Sequence, residues 1–315
     1  MTNILNKFHI FFLNLNNSQK KTYKITNKHF NIMKVLTIII KKRLFITLAI
    51  CTLAFSTLWS QESKNTIPCS TVKKLVAKGN LEIVLFQSDE EDLYIHAPTN
   101  ISRNIKSEFK DGTYTIVNSN PSSTPAKVIL VVQDLNVVKL TGKAKIETPT
   151  NVNFSDLSIT MADEASATLF ISSSELKLNV VGNGNLHLSG DIDTLRIKTD
   201  NNSEISLDIK SYKIYASLKS ESEIMIEGTV FTLFAEMFNF STLDNTVSQT
   251  GTCIINTFDN SMARIKGDDK LLLQAKDRSS IIYKGTGKAE VTLKDKGAIL
   301  KPDTKKEKSL ATQKN

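Results

Sequence analysis

The feature of the sequence that most constrains its fold is a pattern that recurs seven times between Leu157 and Lys288. The copies begin at Leu157, Leu176, Leu195, Ile214, Leu233, Cys253 and Leu271, in steps of 19, 19, 19, 19, 20 and 18 residues. A nearly constant period close to 20 residues is typical of a solenoid, in which each unit stacks only on its neighbours. The sequence therefore predicts a repeat protein.

Each copy alternates apolar and polar residues in two short runs separated by turn-forming residues. With the first residue of a copy as repeat position 0, positions 0, 2, 4, 10 and 12 are mostly apolar, which is the period of strands with one buried face. Position 6 carries turn formers: Asp163, Gly182, Asn201, Ser220, Asn239, Asp259 and Asp277. Position 8 is always small: Ala165, Gly184, Ser203, Ser222, Ser241, Ser261 and Ser279. Glycine at position 14 of four copies predicts a second tight turn: Gly190, Gly228, Gly267 and Gly285.

Two short strands and two corners per unit leave no room for a helix and predict an all-β fold. A leucine-rich repeat would need a helical arm, and its spacing of leucines is missing. We therefore predict a parallel β-helix, or β-solenoid, of about 19-residue coils whose strands pair with their equivalents one coil away. Right-handed coiling is expected because parallel crossovers favour it. A plain antiparallel sheet is the alternative.

An export signal is expected before the repeats. Lys41–Arg43 precede the apolar stretch Leu44–Leu58, and Ser60 offers a small residue before a cleavage point at Gln61. The apolar stretch is shorter than the roughly 20 residues that a membrane span needs. No transmembrane span is therefore expected after cleavage, and a retained anchor is the alternative. Met33 is the expected true start, because a signal rarely lies behind 40 residues.

These observations divide the chain into four expected parts. Residues 1–60 form the leader and signal peptide, 68–134 an N-terminal β cap, 135–302 the β-helix repeats, and 303–315 a disordered polar tail. The cap is expected because a solenoid needs its open end covered. Asp111–Gly112 predicts a hairpin turn within it.

The excess of basic over acidic residues comes from the leader. The chain has 40 Lys and Arg against 32 Asp and Glu, but the first 60 residues hold nine of the basic residues and no acidic one. The remainder thus holds 31 basic against 32 acidic residues, a net charge of −1. No basic face is implied for nucleic acid or for an anionic membrane. The expected location is the periplasm, the outer-membrane surface or the extracellular space.

Residues that could carry metal or cofactor chemistry are few. After the leader the sequence has two His, His96 and His187, and two Cys, Cys69 and Cys253, without a CxxC pair or a metal spacing. No phosphate-binding loop, dinucleotide fingerprint or calcium repeat is present, so we expect no cofactor and no metal. His187 is expected to be a solvated outward residue. Cys253 is expected to be a small buried hydrophobe, with a disulfide to Cys69 as the alternative.

Three aspartates raise the possibility of an enzyme. Asp191, Asp193 and Asp208 are close enough in register to be neighbours near the second corner. Some β-helices are carbohydrate-active enzymes that act on polysaccharide with acidic clusters on a groove, and this is the alternative function. Turn formation explains the same residues, and short corners leave nothing to wall a substrate cleft. We therefore expect a non-enzymatic module for adhesion, scaffolding or ligand binding.

Several segments resemble one bacterial domain family. Val76–Leu85 and the acidic turn after it resemble its first strands, the short Ser- and Gly-cornered strands resemble its middle, and Leu273–Ala275 with Ile281–Gly285 resembles its closing coil. The span from about residue 72 to residue 302 thus resembles the domain of unknown function named "putative auto-transporter adhesin, head GIN domain". The resemblance implies an exported adhesin-like β protein without catalytic residues. Only Gly182–Gly184 approaches the Ser-Gly corners of that family.

Repeat position 1 points outward and becomes apolar along the chain. The early copies place Ser158, Lys177 and Arg196 there, and the later copies place Tyr215, Phe234, Ile254 and Leu272. In a parallel solenoid these four residues stack about 4.8 Å apart, which predicts an outer apolar ladder, and a contiguous apolar strip usually marks a contact. The expected partners are a surface protein, a glycan or a second copy of the chain. Cover by the chain's own hairpins or tail and an error of register are the alternatives.

Overall fold

The computed structural model describes residues 72–119, 124–295 and 298–302. The expected leader and signal peptide, the expected disordered tail and Cys69 lie outside the described residues.

The described residues form strands and one short helix. The helix, α1, is Thr99–Ser102. The strands are β1 (Lys74–Gly79), β2 (Leu81–Gln87), β3 (Asp92–His96), β4 (Ile105–Lys110), β5 (Thr113–Asn118), β6 (Ala126–Val132), β7 (Val137–Thr141), β8 (Lys145–Glu147), β9 (Val152–Asn153), β10 (Asp156–Asp163), β11 (Ser166–Gly182), β12 (Asn185–Asp200), β13 (Glu204–Leu218), β14 (Glu223–Met237), β15 (Thr242–Asp244), β16 (Gln249–Thr257), β17 (Met262–Lys266), β18 (Lys270–Ala275), β19 (Ser280–Lys284), β20 (Lys288–Lys294) and β21 (Ile299–Pro302).

The seven copies of the repeat pair with one another in parallel. Leu157 faces Leu176, Leu176 faces Leu195, Leu195 faces Ile214, Ile214 faces Leu233, Leu233 faces Cys253 and Cys253 faces Leu271. The strands build a solenoid of about eight turns with a spacing of about 19 residues. The predicted parallel β-solenoid is confirmed, and the alternative of a plain antiparallel sheet is wrong.

The first corner of each coil is a left-handed turn at the positions where the sequence places turn formers. All seven residues at position 6 have positive φ, from 50° at Asp259 to 99° at Gly182. Glycine adopts this region freely and Asn and Asp tolerate it. In four copies the next residue also has positive φ: Glu221, Phe240, Asn260 and Arg278. The predicted corner is therefore present in every copy.

The small residue at position 8 closes this corner from the inside. The five serines at this position are buried: Ser203, Ser222, Ser241, Ser261 and Ser279. Ser222 Oγ donates a hydrogen bond to the Lys219 carbonyl at 2.8 Å, and Ser261 Oγ donates to the Phe258 carbonyl at 2.6 Å. These hydroxyls satisfy carbonyl groups at the corner. Small size is therefore what all seven copies share, while the hydroxyl groups of Ser203 and Ser241 have no hydrogen-bond partner.

The second corner bends the chain without ending the strand in the earlier copies, whereas in the last three copies the strand ends there, between β15 and β16, β17 and β18, and β19 and β20. β12, β13 and β14 run through it as strands of 16, 15 and 15 residues, whereas the sequence predicted two separate short strands. Gly228 has φ of 89°, and a Cβ there would lie 2.2 Å from the carbonyl oxygen of Ile209 in the preceding coil. Backbone conformation and close stacking both require glycine at this bend.

The interior of the solenoid is a continuous apolar column. Positions 0, 2, 4, 10 and 12 point inward, as the alternation predicts. The same alternation continues past the second corner and buries position 16, which holds Ile192, Ser211 and Val230 in three coils. These residues were not predicted from the sequence, because the glycines at position 14 indicate an interruption of the strand. Each fully buried aliphatic side chain contributes about 1.5–3 kcal/mol, so the column is the main stabilising feature.

The N-terminal strands do not stack in chain order. β1 pairs in parallel with β5 on one side and β7 on the other, and β2 pairs in the same way with β6 and β8. The first coil of the chain therefore lies between the second and the third. β3 and β4 run antiparallel to β6 and β5, and the predicted hairpin turn before β5 has φ of 49° at Asp111 and 70° at Gly112. These antiparallel strands cover the N-terminal end of the stack.

Because the coils share one register, deletion of Leu195–Lys213 should leave a folded protein that is one coil shorter. Thr194 pairs with Lys213, so joining Thr194 to Ile214 places the coil that begins at Leu176 directly against the coil that begins at Ile214. The circular dichroism spectrum should stay that of a β protein, with a cooperative thermal transition. Loss of both features would contradict the equivalence of the coils.

A charge inside the column should be more harmful than the loss of a coil. Leu207 is fully buried, and Leu207→Asp should lower the free energy of unfolding by more than about 4 kcal/mol, because it removes apolar packing and buries an unpaired carboxylate. Ser206→Asp is the matched control, since Ser206 is the outward neighbour, and it should change stability by less than about 0.5 kcal/mol. Urea denaturation measures both. Equal midpoints would refute the inward assignment of Leu207.

Candidate functional site

The four residues predicted to form the outer apolar ladder are neighbours on successive coils. Tyr215 faces Phe234, Phe234 faces Ile254, and Ile254 faces Leu272. All four are half-buried, while the residues at positions 0 and 2 on either side of them are buried. The alternative of a register error is therefore wrong.

The ring faces in this ladder are covered by its own members. The ring centroids of Tyr215 and Phe234 lie 4.8 Å apart with an interplanar angle of 8°. On the other side of Tyr215, the Arg196 guanidinium lies 4.5 Å from the ring centroid, and Ile254 follows Phe234 at the next level. The ladder therefore presents ring edges and two aliphatic side chains outward, as a strip without an open ring face.

Glu175 orients the cation at one end of the ladder. Its carboxylate accepts a hydrogen bond from Arg196 Nε at 2.8 Å and lies 3.3 Å from Lys177 Nζ. The hydrogen bond from Arg196, and then that from Lys177, hold the pKa of Glu175 below its ordinary value. These groups are exposed, so the contact directs the guanidinium over Tyr215 more than it stabilises the fold.

Two further aromatic pairs lie on the outer faces and were not predicted. Tyr212 and Phe231 stack with ring centroids 4.9 Å apart, and they are 54% and 55% exposed, respectively. Phe238 and Phe258 stack with centroids 5.0 Å apart. The members of each pair share one repeat position, 17 in the first pair and 5 in the second. A search of every outward position for consecutive aromatic residues would have found both.

A cleft of about 570 Å³ lies beside the Tyr212–Phe231 pair at the second corner. Residues from five consecutive coils line it, and the polar ones with long or charged side chains are Asp191, Asp193, Lys210, Gln249 and Asp268. A walled cleft was not predicted from the sequence, because the corners are short. The two exposed aromatic side chains supply the wall that no loop provides.

The three aspartates considered as an acidic cluster divide between two neighbouring depressions. Asp191 and Asp193 line the cleft, and Asp191 also lines an adjoining depression of about 500 Å³ with Asp208. All three residues are exposed. They therefore lie on open surface rather than in an enclosed catalytic groove.

Cys253 is buried beside a polar network inside the column. Asn245 Nδ2 donates hydrogen bonds to Thr250 Oγ1 at 3.1 Å and to the Lys266 carbonyl at 3.0 Å, and the Cys253 thiol donates to the same carbonyl at 3.3 Å. Burial is the main reason that the pKa of Cys253 rises to about 12. The cysteine is a free thiol and fully buried, so the prediction of a small buried residue is confirmed.

The remaining residues that could carry chemistry are dispersed. His187 is exposed at an outward strand position, as predicted. Within the part of the chain that the structure describes, no group of three His, Cys, Asp or Glu side chains could hold a metal ion. No helix among the same residues is long and apolar enough to span a membrane.

A parallel β-solenoid with short corners and aromatic outer faces is the class of protein that these features define. Residues 72–208 match the family described as "Putative auto-transporter adhesin, head GIN domain". The resemblance predicted from the sequence is confirmed for this segment. The matched segment ends before the outer apolar ladder begins. A comparison with curated proteins finds no match.

Solved structures share the fold at low sequence identity. A putative lipid binding protein from Parabacteroides distasonis ATCC 8503 has a TM-score of 0.57 and 15% identity, over 77% of this chain and 94% of that chain. A putative adhesin from Parabacteroides merdae ATCC 43184 has a TM-score of 0.57 and 17% identity, over 77% and 96%. A putative adhesin from Parabacteroides distasonis ATCC 8503 has a TM-score of 0.54 and 18% identity, over 77% and 97%. At these identities the likeness concerns the fold alone.

Cys253 should react with a thiol reagent only when the solenoid opens. With a pKa of about 12 the buried thiol stays protonated at about pH 8, so labelling should be slow in native buffer and immediate in concentrated guanidinium. Because the pKa is raised on folding, this thiol's contribution to stability is present below about pH 9 and is lost as the pH rises towards about 12.

A background carrying Cys51→Ser and Cys69→Ser leaves Cys253 as the single thiol for that measurement. Fast labelling of this variant in native buffer would contradict the buried position.

Proposed function

We propose that this protein is an exported, non-enzymatic binding module of the cell envelope with an adhesin-like role. The family match of residues 72–208 supports an adhesin-like protein, as do the two compared structures that are named putative adhesins. The outer apolar ladder is the observation that carries the proposal. A strip of four apolar residues on consecutive coils suits contact with a partner, because contiguous exposed apolar surface is unfavourable in water.

The geometry of the ladder favours a protein surface as its partner. Both rings of the Tyr215–Phe234 pair are sandwiched, so a single small ring has no open face on which to stack. Ring edges and aliphatic groups in a row instead complement another apolar strip, on a second copy of the chain or on a surface protein. The N-terminal strands β3 and β4 pair with β6 and β5, which argues against their serving as an internal cover.

A polysaccharide-cleaving enzyme is the less supported alternative. Hydrolysis of a glycosidic bond uses two carboxyl groups that flank the bond in a site which encloses the sugar. Asp191, Asp193 and Asp208 are exposed and are divided between two depressions. The family match and the neighbouring structures favour a binding protein.

Export should leave a mature chain that begins at or near Gln61. The basic residues before the apolar stretch 44–58, and the small residue Ser60 before the cut, favour cleavage at this point. N-terminal sequencing of the protein from the cell envelope measures the cleavage site. An intact terminus at Met1 or Met33, in protein from the cytoplasm, would contradict export.

Loss of the outer apolar ladder should abolish association without destabilising the protein. Tyr215→Ser combined with Phe234→Ser removes the rings from the strip but leaves the buried positions unchanged. Light scattering of the purified protein, and binding to an isolated envelope fraction, should show association for the parent and none for the variant. The melting temperature should stay within a few degrees.

Phe238→Ser combined with Phe258→Ser is the matched control, because it removes another half-buried stacked pair, which lies outside both the ladder and the cleft. This control should associate like the parent. A fall of many degrees in the melting temperature of the ladder variant, with association unchanged, would support internal cover and contradict the proposal.

A further inference from the structure

The Tyr212–Phe231 pair belongs to a second line of outward residues that is interrupted after Phe231. The flanking pairs Val230 with Thr250 and Thr232 with Thr252 place Gly251 opposite Phe231 on the next coil. Thr252 pairs with Lys270, so Asp269 lies opposite Gly251 on the coil after that. One face of the Phe231 ring is covered by Tyr212, and the residue opposite its other face, Gly251, has no side chain to cover it.

The level of Gly251 is bounded by backbone and by a carboxylate. A Cβ on this glycine would lie 2.9 Å from the Phe231 carbonyl oxygen and 2.7 Å from Asp269 Oδ2, so the Asp269 carboxylate reaches into this level and forms its floor. The backbone of Gly251 is also bonded to the same coil, since its carbonyl accepts from Asp269 N at 3.0 Å. More than half of Phe231 is exposed, so the outer part of its ring face stays open above this carboxylate. A saturated ring can pack on that open part while its hydroxyl groups face the carboxylate.

The surroundings of this open ring face supply hydrogen-bond donors and acceptors. Gln249 and Thr229 are exposed in the cleft and offer an amide and a hydroxyl, Lys210 offers an ammonium group, and Asp191 and Asp268 offer carboxylates. These groups come from consecutive coils, and five coils span roughly 19 Å along the cleft. The cleft is therefore long enough for several linked rings and not only for one.

From these observations we infer that the cleft binds a neutral or amino-substituted oligosaccharide, with one pyranose ring stacked on the open face of Phe231. The C–H face of a pyranose is apolar and packs on an aromatic ring, while its hydroxyl groups require both donors and acceptors around its edge. Gln249, Lys210 and Asp268 provide both kinds of group. The inference deepens the proposed function, because it rests on the protein being a binding module and names a ligand class for a second surface.

Two other ligand classes fit the cleft less well. A quaternary ammonium ligand is bound best by several rings that surround it, and here a single ring face is open. An acidic saccharide would meet Asp191, Asp193 and Asp268 against a single lysine. Like charges facing each other weaken binding.

Titration calorimetry of the full chain with four probes tests this inference: cellotetraose, a glucosamine tetramer, a galacturonic acid tetramer and choline. The first two should bind, and the galacturonic acid tetramer should bind more weakly than cellotetraose. Phe231→Ala should weaken binding of cellotetraose at least about fivefold, because it removes the stacking surface. Phe231→Leu retains apolar bulk without a flat face, so it should show the same loss even if the alanine variant folds poorly.

Phe240→Ala is the matched control, since Phe240 is exposed but lies at the first corner and outside the cleft. It should bind cellotetraose like the parent. Failure of both cellotetraose and the glucosamine tetramer to bind, strongest binding of choline or of the galacturonic acid tetramer, or unchanged affinity of both Phe231 variants would each overturn the inference. The Tyr215→Ser, Phe234→Ser variant separates the two proposals, because it should lose association yet keep cellotetraose binding.

Discussion

Parallel hydrogen bonding of each coil to the next is the constraint on which the rest of the structure depends. Because the pairing fixes which residue lies over which, a residue type that recurs at one repeat position becomes a continuous line along the solenoid. The apolar column is such a line on the inside, and the Tyr215–Phe234 stack belongs to one on the outside. Neighbouring positions face opposite ways, so a slip of one residue would exchange the two lines.

The parallel pairing continues past one irregular coil because the buried side chain of Asn245 makes hydrogen bonds that backbone groups make elsewhere. The coil that begins at Leu233 has one residue more than the coils before it. Asn245 Oδ1 accepts from Lys266 N at 2.8 Å, and its Nδ2 donates to the Lys266 carbonyl at 3.0 Å, which are the two bonds that a strand partner would make. The extra residue is thereby absorbed in the turn, and the stack resumes where Thr229 faces Gln249.

The column, the first corner and the outer apolar ladder were predictable because each depends on one repeat position. Inward alternation and a turn former such as Asn201 have local physical causes, and the pairing then repeats them. The Tyr212–Phe231 pair was missed because its line holds only two apolar residues, whereas the ladder holds four. The open face of Phe231 exists because Gly251, which lies opposite it on the next coil, has no side chain. A search for hydrophobic residues does not detect a missing side chain. The stacking order of the first coils could not be predicted either, because the alternation of apolar and polar residues in β1 and β2 is compatible with any parallel neighbour.

The order of those first coils has a consequence for how the chain can acquire its structure as it emerges from a ribosome or a translocation channel. The first coil, β1 with β2, is flanked on both sides by coils that are synthesised later. Its backbone groups consequently have no native partners until β5 and β6 have emerged. The groups on the other side of β1 and β2 stay unpaired until β7 and β8 follow. Unlike a solenoid whose coils add in sequence from one end, this chain must hold its leading segment unpaired. Such a delay leaves the leading segment without its native β-sheet hydrogen bonds for as long as the next two coils take to be made.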